Sequence, residues 1–217
     1  MEDKGDTRKK IILAAIDILN IEGVGGITTR SIAEKAGVNS ASVNYYYGSK
    51  ENLIDHALNM TLEHVFSDWM MILEIEELDL PVRIYCLLDF TMEGVLRYPG
   101  IVRSHLFAPL GKERTRKAFA EKTGSLLDML STMLEERSSQ TKEKLKLSLG
   151  QMLLTVISAA MIPELFTAIT EKDITEAQAR SRFILNLLKQ FLDVELTITD
   201  IIQSEIIRVR KQAFRSE

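Results

Sequence analysis

The first fifty residues contain three helix signals in succession, separated only by short turns. The first helix is marked by apolar residues at the spacing of one helix face: Ile12, Ala15, Ile16 and Leu19. Asp6 or Thr7 can cap its start. The glycines at positions 23, 25 and 26 are predicted to end it, because glycine readily takes the positive φ of a helix C-terminus.

Two short helices are predicted to follow. Thr28 or Thr29 can cap the start of the first, and Gly37 stops it after about two turns. The next begins at Asn39 or Ser40, both good N-caps, and runs to about residue 47, before a longer helix over about 50–71. Two short helices joined through a glycine turn form a helix-turn-helix arrangement. On spacing alone, the start of a generic three-helix bundle is the alternative.

Composition excludes several classes of protein. With 46% hydrophobic and 27% charged residues, the 217-residue chain has the balance of a globular protein rather than a disordered one. Only four prolines occur, none before position 81, which favours an all-α fold. The single cysteine, Cys86, cannot form an internal disulfide, and the longest apolar stretch, 152–162, is too short to span a bilayer. No signal-peptide pattern is found, so we expect a cytoplasmic protein without a membrane partner.

The charge balance does not by itself indicate a nucleic-acid-binding protein. The formal net charge is −4, from 27 basic and 31 acidic residues, and residues 1–55 hold seven bases and eight acids. Any contact with DNA must therefore depend on where a few charges lie.

Residues 28–53, TTRSIAEKAGVNSASVNYYYGSKENL, resemble the signature of the TetR family of bacterial transcription regulators. The TTR-x-IA-x-x-AGV start, the aromatic end of the second short helix and the SKE-x-L helix start match in order, and the resemblance covers about residues 7–60. It implies a DNA-binding domain over residues 5–65, with its motif at about 28–47. Residues 66–217 would then form a helical ligand-binding and dimerisation domain.

The resemblance also implies a set of DNA-contacting residues. These are Thr29, Arg30, Asn39, Ser40, Ala41, Ser42, Asn44, Tyr45, Tyr46 and Lys50. Positions on the second short helix would meet base edges in the major groove, whereas Thr29, Arg30 and Lys50 match phosphate-contacting positions. Tyr47 matches an aromatic residue that packs inside. Asn44 stands where the family usually has a phosphate-contacting Tyr, so its role is open.

Three basic residues open the first helix, Arg8, Lys9 and Lys10. They could contact phosphates that flank the site, or simply form a solvated helix start.

From residue 80 onward the pattern stays helical, and two stretches, 145–166 and 180–192, are apolar on more than one side. The family forms its dimer through its last two long helices, which implies an interface of Leu149, Leu153, Val156, Ile157, Phe183, Leu187 and Phe191. A two-fold dimer would read a near-palindromic operator. A large monomeric core is the alternative. Residues 197–213 are predicted to form one further amphipathic helix.

The family also implies a pocket for a small, mostly apolar effector. Candidates by residue type are Phe66, Trp69, Met70, Tyr85, Phe90, Tyr98, His105, Phe107, Phe119, Met129, Met133, Met152, Met161 and Phe166. Such residues suit ordinary cores equally well. His105, near Tyr98 and Arg103 in sequence, could supply polar contacts or recognise an anion, and Pro163 is expected to kink its helix.

No catalytic or metal-binding constellation is evident, since the three histidines lack carboxylate or cysteine partners at ligand spacing. We therefore expect no enzyme activity, metal or cofactor, and we expect three partners: operator DNA, a second copy of the chain and an unknown effector. The resemblance favours a homodimeric repressor released by its effector. An activator, or a repressor that requires its ligand, is the alternative within the fold, and a helical interaction protein without DNA binding is the alternative from another class.

Overall fold

The structure is a computed structural model that describes residues 4–107 and 113–193. All regular secondary structure in these ranges is α-helix, and short turns and loops join the helices, which confirms the predicted all-α fold. The helices are α1 (Lys4–Gly26), α2 (Thr29–Ala36), α3 (Ser40–Tyr47), α4 (Lys50–Leu73), α5 (Leu80–Arg97), α6 (Pro99–Leu106), α7 (Glu113–Glu135), α8 (Lys142–Met161), α9 (Pro163–Thr170) and α10 (Ala177–Leu192). The helix predicted over 197–213 lies outside the described residues.

The described chain divides into two compact units. The N-terminal unit consists of residues 4–65, 98–107 and 113–121, and the second unit of residues 66–97 and 122–193. The domain boundary drawn from the sequence at residue 65 remains a prediction. The sequence placed α6 in the regulatory domain, whereas in the structure α6 packs as part of the N-terminal unit.

The core of the N-terminal unit is built on one side of α1. Ile11, Ala15 and Leu19 are fully buried, whereas Ile12 and Ile16 are only partly buried at its edge. The buried face is therefore turned slightly from the one predicted. Gly23 interrupts α1 with a φ of 68° and a ψ of −174°, and the helix ends at Gly26, so the glycine cluster ends it as predicted.

In the second unit α5, α8 and α10 all pack against one another. Most of α5 is buried, including Asp89. The Asp89 carboxylate accepts a hydrogen bond from Nε of the equally buried Arg180 on α10, at 3.1 Å. Because each charge is compensated by the other, the pair can be held inside an otherwise apolar core.

A sharp bend separates α8 from α9. Pro163 is the first residue of α9, and the two helices meet at an angle of 100°. The predicted effect of this proline is therefore larger than a kink, because it begins a new helix. Among the described residues no single helix is long and apolar enough to cross a membrane, and α8 and α9 reach that length and composition only as this bent pair.

The residues predicted for the dimer interface mostly face inward. Leu149, Leu153, Val156 and Ile157 on α8 are at most 4% exposed in the single chain, and Leu187 on α10 is also buried. Phe183 and Phe191 are partly buried. In the single chain the core of the second unit encloses most of this face, and the predicted interface remains a prediction.

Exposed apolar residues lie on α8, on α9 and at the bend between them. They are Leu147, Leu154, Ile162, Leu165 and Ile169, each at least half exposed. No residue of α9 is buried in the single chain. We refer to these five residues as the α8–α9 strip.

Candidate nucleic-acid interface

The start of α2 is held by a reciprocal pair of hydrogen bonds. Thr28 Oγ1 accepts from the Ser31 amide, and Ser31 Oγ accepts from the Thr28 amide, both at 3.0 Å. Thr28, rather than Thr29, is thus the N-cap. This capping box satisfies two amides that have no partner within the helix and fixes the position of α2.

The turn between α2 and α3 depends on Gly37. Its φ of 67° is left-handed, a region that glycine enters without strain, and its amide donates to the Glu34 carbonyl at 3.2 Å. Asn39 then caps α3, since its Oδ1 accepts from the Ala41 amide at 2.9 Å. The Asn39 side chain was predicted to contact DNA, and the structure shows that its carbonyl oxygen is already engaged in holding the start of α3.

The two faces of α3 differ in burial. Val43 is fully buried, and Tyr47 is only 6% exposed. The opposite side presents Ser40, Ala41, Asn44 and Tyr45 to solvent, while Ser42 and Tyr46 are partly buried beside them. Most of the residues predicted to meet base edges therefore lie on one accessible face, which is what a helix entering the major groove requires.

Tyr47 anchors the end of α3 to α1, as the sequence predicted when it assigned this residue to the core. Its hydroxyl donates to the Arg8 carbonyl at 2.9 Å. The Arg8 guanidinium lies 5.6 Å from the centre of the Tyr47 ring, within range of a cation–π contact. Burial raises the pKa of Tyr47, so the side chain stays a neutral hydrogen-bond donor.

The two tyrosines that precede Tyr47 lie beside the exposed face of α3. Tyr45 and Tyr46 contact each other edge to face, with ring centroids 5.1 Å apart. Tyr45 is 72% exposed, although such a large ring is usually more buried. An exposed tyrosine at the end of α3 is available for a contact with DNA, and its hydroxyl can donate to a phosphate oxygen.

The residues predicted to contact phosphates lie at helix starts. Thr29 and Arg30 open α2, and the Arg30 side chain is exposed. Lys50 opens α4, with its Nζ 3.9 Å from Glu51 Oε1 and its side chain 36% exposed. The N-terminus of a helix attracts anions through its free amides and its dipole, so these positions suit phosphate oxygens.

The sequence did not identify Thr7 as part of this surface. Thr7 lies in the first turns of α1, yet it lines the same shallow depression as Gly37, Asn39, Ser42 and Tyr46. Nothing in the local pattern distinguishes it from an ordinary helix start. Only the packing of α1 beside α3 brings it to the face of α3.

The residues predicted for an effector pocket fall in both units. Tyr98, His105, Phe107 and Phe119 belong to the N-terminal unit, and the others belong to the second. Trp69, Tyr85, Phe90 and Met152 are buried, whereas Met70 and Phe107 are exposed. None of these candidates lines the depression beside α3, and none lines a cavity of the second unit that is formed at the ends of α5, α7, α8 and α10. The effector pocket therefore remains a prediction.

The surroundings of His105 do not give it the positive charge that recognition of an anion would require. Its Nε2 lies 3.0 Å from Thr61 Oγ1, and the Thr61 hydroxyl itself donates to the Leu58 carbonyl at 2.9 Å. Nε2 therefore carries the hydrogen and donates to Thr61. Burial lowers the pKa of His105 to about 4, so the ring is neutral at neutral pH and supplies no positive charge.

Two helical units, the first of which carries a helix-turn-helix with an exposed second helix, define a class of DNA-binding regulators. A model of the family "Bacterial regulatory proteins, tetR family" matches residues 11–57. The N-terminal unit therefore contains a DNA-binding domain of the TetR type.

Three proteins show what this chain is similar to. The probable HTH-type transcriptional regulator YttP of Bacillus subtilis is 38% identical over 56 residues, which are 26% of this chain and 27% of YttP. The chain thus spans about a quarter of that relative. The nucleoid occlusion factor SlmA of Aliivibrio fischeri is 28% identical over 151 residues, 69% of this chain and 68% of SlmA.

The third is a solved structure, the transcriptional regulator FadR of Bacillus subtilis in complex with stearoyl-CoA. It superposes with a TM-score of 0.65 at 14% identity and covers 83% of this chain and 96% of its own. At this identity the likeness concerns the fold, which here extends well beyond the helix-turn-helix.

Proposed function

We propose that this protein is a homodimeric, sequence-specific transcription regulator that places α3 in the major groove of its operator. The observation that carries the proposal is the accessible face of α3, with Ala41, Asn44 and Tyr45 exposed on a helix that Tyr47 anchors to α1. Asn44 can form two hydrogen bonds with an adenine edge, and the Ala41 methyl can contact a thymine methyl. Thr29, Arg30 and Lys50 supply phosphate contacts that set the orientation of the helix.

A second copy of the chain is needed for sequence-specific DNA binding. One α3 of eight residues contacts only a few base pairs, so two copies related by a two-fold axis are needed to specify a site. The α8–α9 strip supports this part of the proposal, because its five exposed apolar side chains would be poorly placed in water. We therefore assign the dimer interface to this strip rather than to the buried face of α8.

The regulator acts in the cytoplasm as a repressor that a small, mostly apolar effector releases. The effector would have to bind the DNA-incompetent state more tightly in order to shift the population away from the operator. The FadR structure shows that a protein of this fold holds a ligand with a long apolar part, which supports the same kind of effector here.

Selection of bound duplexes from a random DNA library by the purified full-length protein tests the proposal. We expect an enriched inverted repeat, with half-sites one helical turn or a multiple of it apart. Affinity for that repeat should fall steeply with salt, as phosphate contacts release counterions. Absence of an enriched repeat, in a sample shown to be folded and dimeric, would contradict the proposed function.

A further inference from the structure

The second unit contains a cavity that none of the roles described above uses. It measures about 270 Å³ and lies where the start of α5, the end of α7, the start of α8 and the end of α10 meet. Pockets for drug-sized ligands are usually larger, roughly 300–1,000 Å³, so this cavity suits a smaller molecule.

One wall of the cavity is apolar. It is formed by Leu80, Leu134, Leu145 and Leu192, one residue from each of the four helices. All four are buried, with Leu145 only 1% exposed, so the positions of these side chains are fixed by the core. This wall is preformed and would hold a branched or aromatic hydrocarbon group.

The rest of the lining is mostly polar and carries both signs of charge. Arg137 and Asp193 belong to it together with Ser139 and Gln140. Within the described residues neither Arg137 nor Asp193 forms an ion pair. The two charges are therefore available to a ligand that has a negative and a positive group of its own.

Gln140 adds a hydrogen-bond acceptor to the lining. Its Oε1 is buried and finds no donor within residues 4–107 and 113–193, although its backbone amide donates to Ser138 Oγ at 3.1 Å. Buried carbonyl oxygens of this kind are normally paired in folded proteins. A ligand with an N–H group would supply the missing donor.

We propose that this cavity binds an α-amino acid with an apolar side chain. The ligand carboxylate pairs with the Arg137 guanidinium and the Ser139 hydroxyl, and its ammonium group donates to Gln140 Oε1 and faces the Asp193 carboxylate. The side chain packs on the four leucines. A simple fatty acid pairs with Arg137, but it leaves Gln140 without a donor and brings a negative charge close to Asp193. A simple amine donates to Gln140, but it leaves Arg137 without an anion.

Isothermal titration calorimetry on the full-length protein tests this proposal with L-leucine and L-phenylalanine as probes. 4-Methylpentanoate and isopentylamine serve as comparators, because they keep the leucine side chain and lack the ammonium and the carboxylate, respectively. We expect at least one amino acid to bind and both comparators to bind about tenfold more weakly or not at all, since each lacks a charge-assisted contact.

The variants Arg137→Gln and Asp193→Asn change exposed side chains, and each should weaken binding of the amino acid about tenfold. Arg182→Gln, at an exposed arginine of α10 outside the cavity, is the matched control and should bind as the wild type does. Circular dichroism confirms that each variant is folded. The proposal is overturned if neither amino acid binds up to about 10 mM, if 4-methylpentanoate binds equally well, or if the two cavity variants bind normally. None of these outcomes depends on DNA binding.

Discussion

The Gly100 amide donates a hydrogen bond to Asn20 Oδ1 at 3.2 Å, and a Cβ at position 100 would overlap the backbone carbonyl of Asn20. The start of α6 thus lies directly against the second half of α1. Only glycine permits so close an approach of two backbones. The residue next to it, Ile101, is part of the same hydrophobic core as α1, so α6 is an integral part of the unit that presents α3.

Substitution of Gly100 by alanine should destabilise the N-terminal unit. We expect a loss of about 1–3 kcal/mol in the free energy of unfolding, because the new methyl group forces α6 away from α1. Gly94→Ala in α5 is the control, since a Cβ there meets nothing within 4 Å and the change should be neutral or stabilising by up to about 1 kcal/mol. Urea denaturation of both variants measures the difference. Equal stabilities would show that α6 does not approach α1 so closely.

Loss of the Lys50 charge should weaken binding to every DNA sequence. Lys50→Ala is expected to lower the slope of log affinity against log salt by about one, since one phosphate contact is lost. Lys117→Ala removes an exposed lysine that pairs with Glu121 on α7, and it should change neither slope nor affinity. Fluorescence anisotropy over a range of salt concentrations measures both. If Lys50→Ala instead changes base preference with an unchanged slope, Lys50 is not a phosphate contact.

A charge in the α8–α9 strip should separate the dimer. Leu154 is 57% exposed in the single chain, so Leu154→Glu can be accommodated by the folded monomer but not by an apolar interface. Ile21→Glu replaces a side chain that is 76% exposed on α1 and should leave the dimer intact. Sedimentation velocity reports the masses. A Leu154→Glu protein that remains dimeric would place the interface elsewhere.

His105 should make the folded state sensitive to mild acid. Its pKa is about 4 when folded and 6.5 when unfolded, so the folded state favours the neutral ring. Its contribution to stability is complete above pH 6.5 and is lost as the pH falls from 6.5 toward 4, because only the unfolded chain then binds the proton. The slope is roughly 1.4 kcal/mol per pH unit at most.

Denaturation of the wild type and of His105→Asn between about pH 7 and pH 5 isolates this contribution, since the carboxylates titrate alike in both proteins. We expect the stability advantage of the wild type to shrink as the pH falls. A constant difference over this range would mean that His105 is accessible to protons in the folded protein.

Local signals explain why the helix-turn-helix could be predicted from the sequence. Gly37 and Asn39 act within a few residues of their own positions, through a left-handed turn and a side-chain cap. Tyr47 was also assigned correctly, because its place at the end of the family motif implies an inward side chain. Such features need no knowledge of the rest of the chain.

Features that depend on distant packing could not be predicted in the same way. The apolar spacing on α8 showed that Leu149 and Val156 are buried, but not whether their own unit or a partner buries them. His105 meets Thr61 across 44 residues of sequence, and no local pattern marks such a pair. Periodicity identifies a buried face of a helix, whereas the identity of what covers it follows only from the tertiary fold.

The central claim, that the exposed face of α3 reads DNA, is tested most directly by the ratio of specific to non-specific affinity. This ratio is measured by fluorescence anisotropy with the selected repeat and a scrambled duplex, for the wild type and for the double variant Asn44→Ala, Tyr45→Ala, in which both changes are on the exposed face. We predict a wild-type ratio of roughly 10³ or more and a fall of at least tenfold in the variant, with less change in its non-specific binding. A folded variant that keeps the full ratio would contradict the account, because the bases would then be read by another part of the protein.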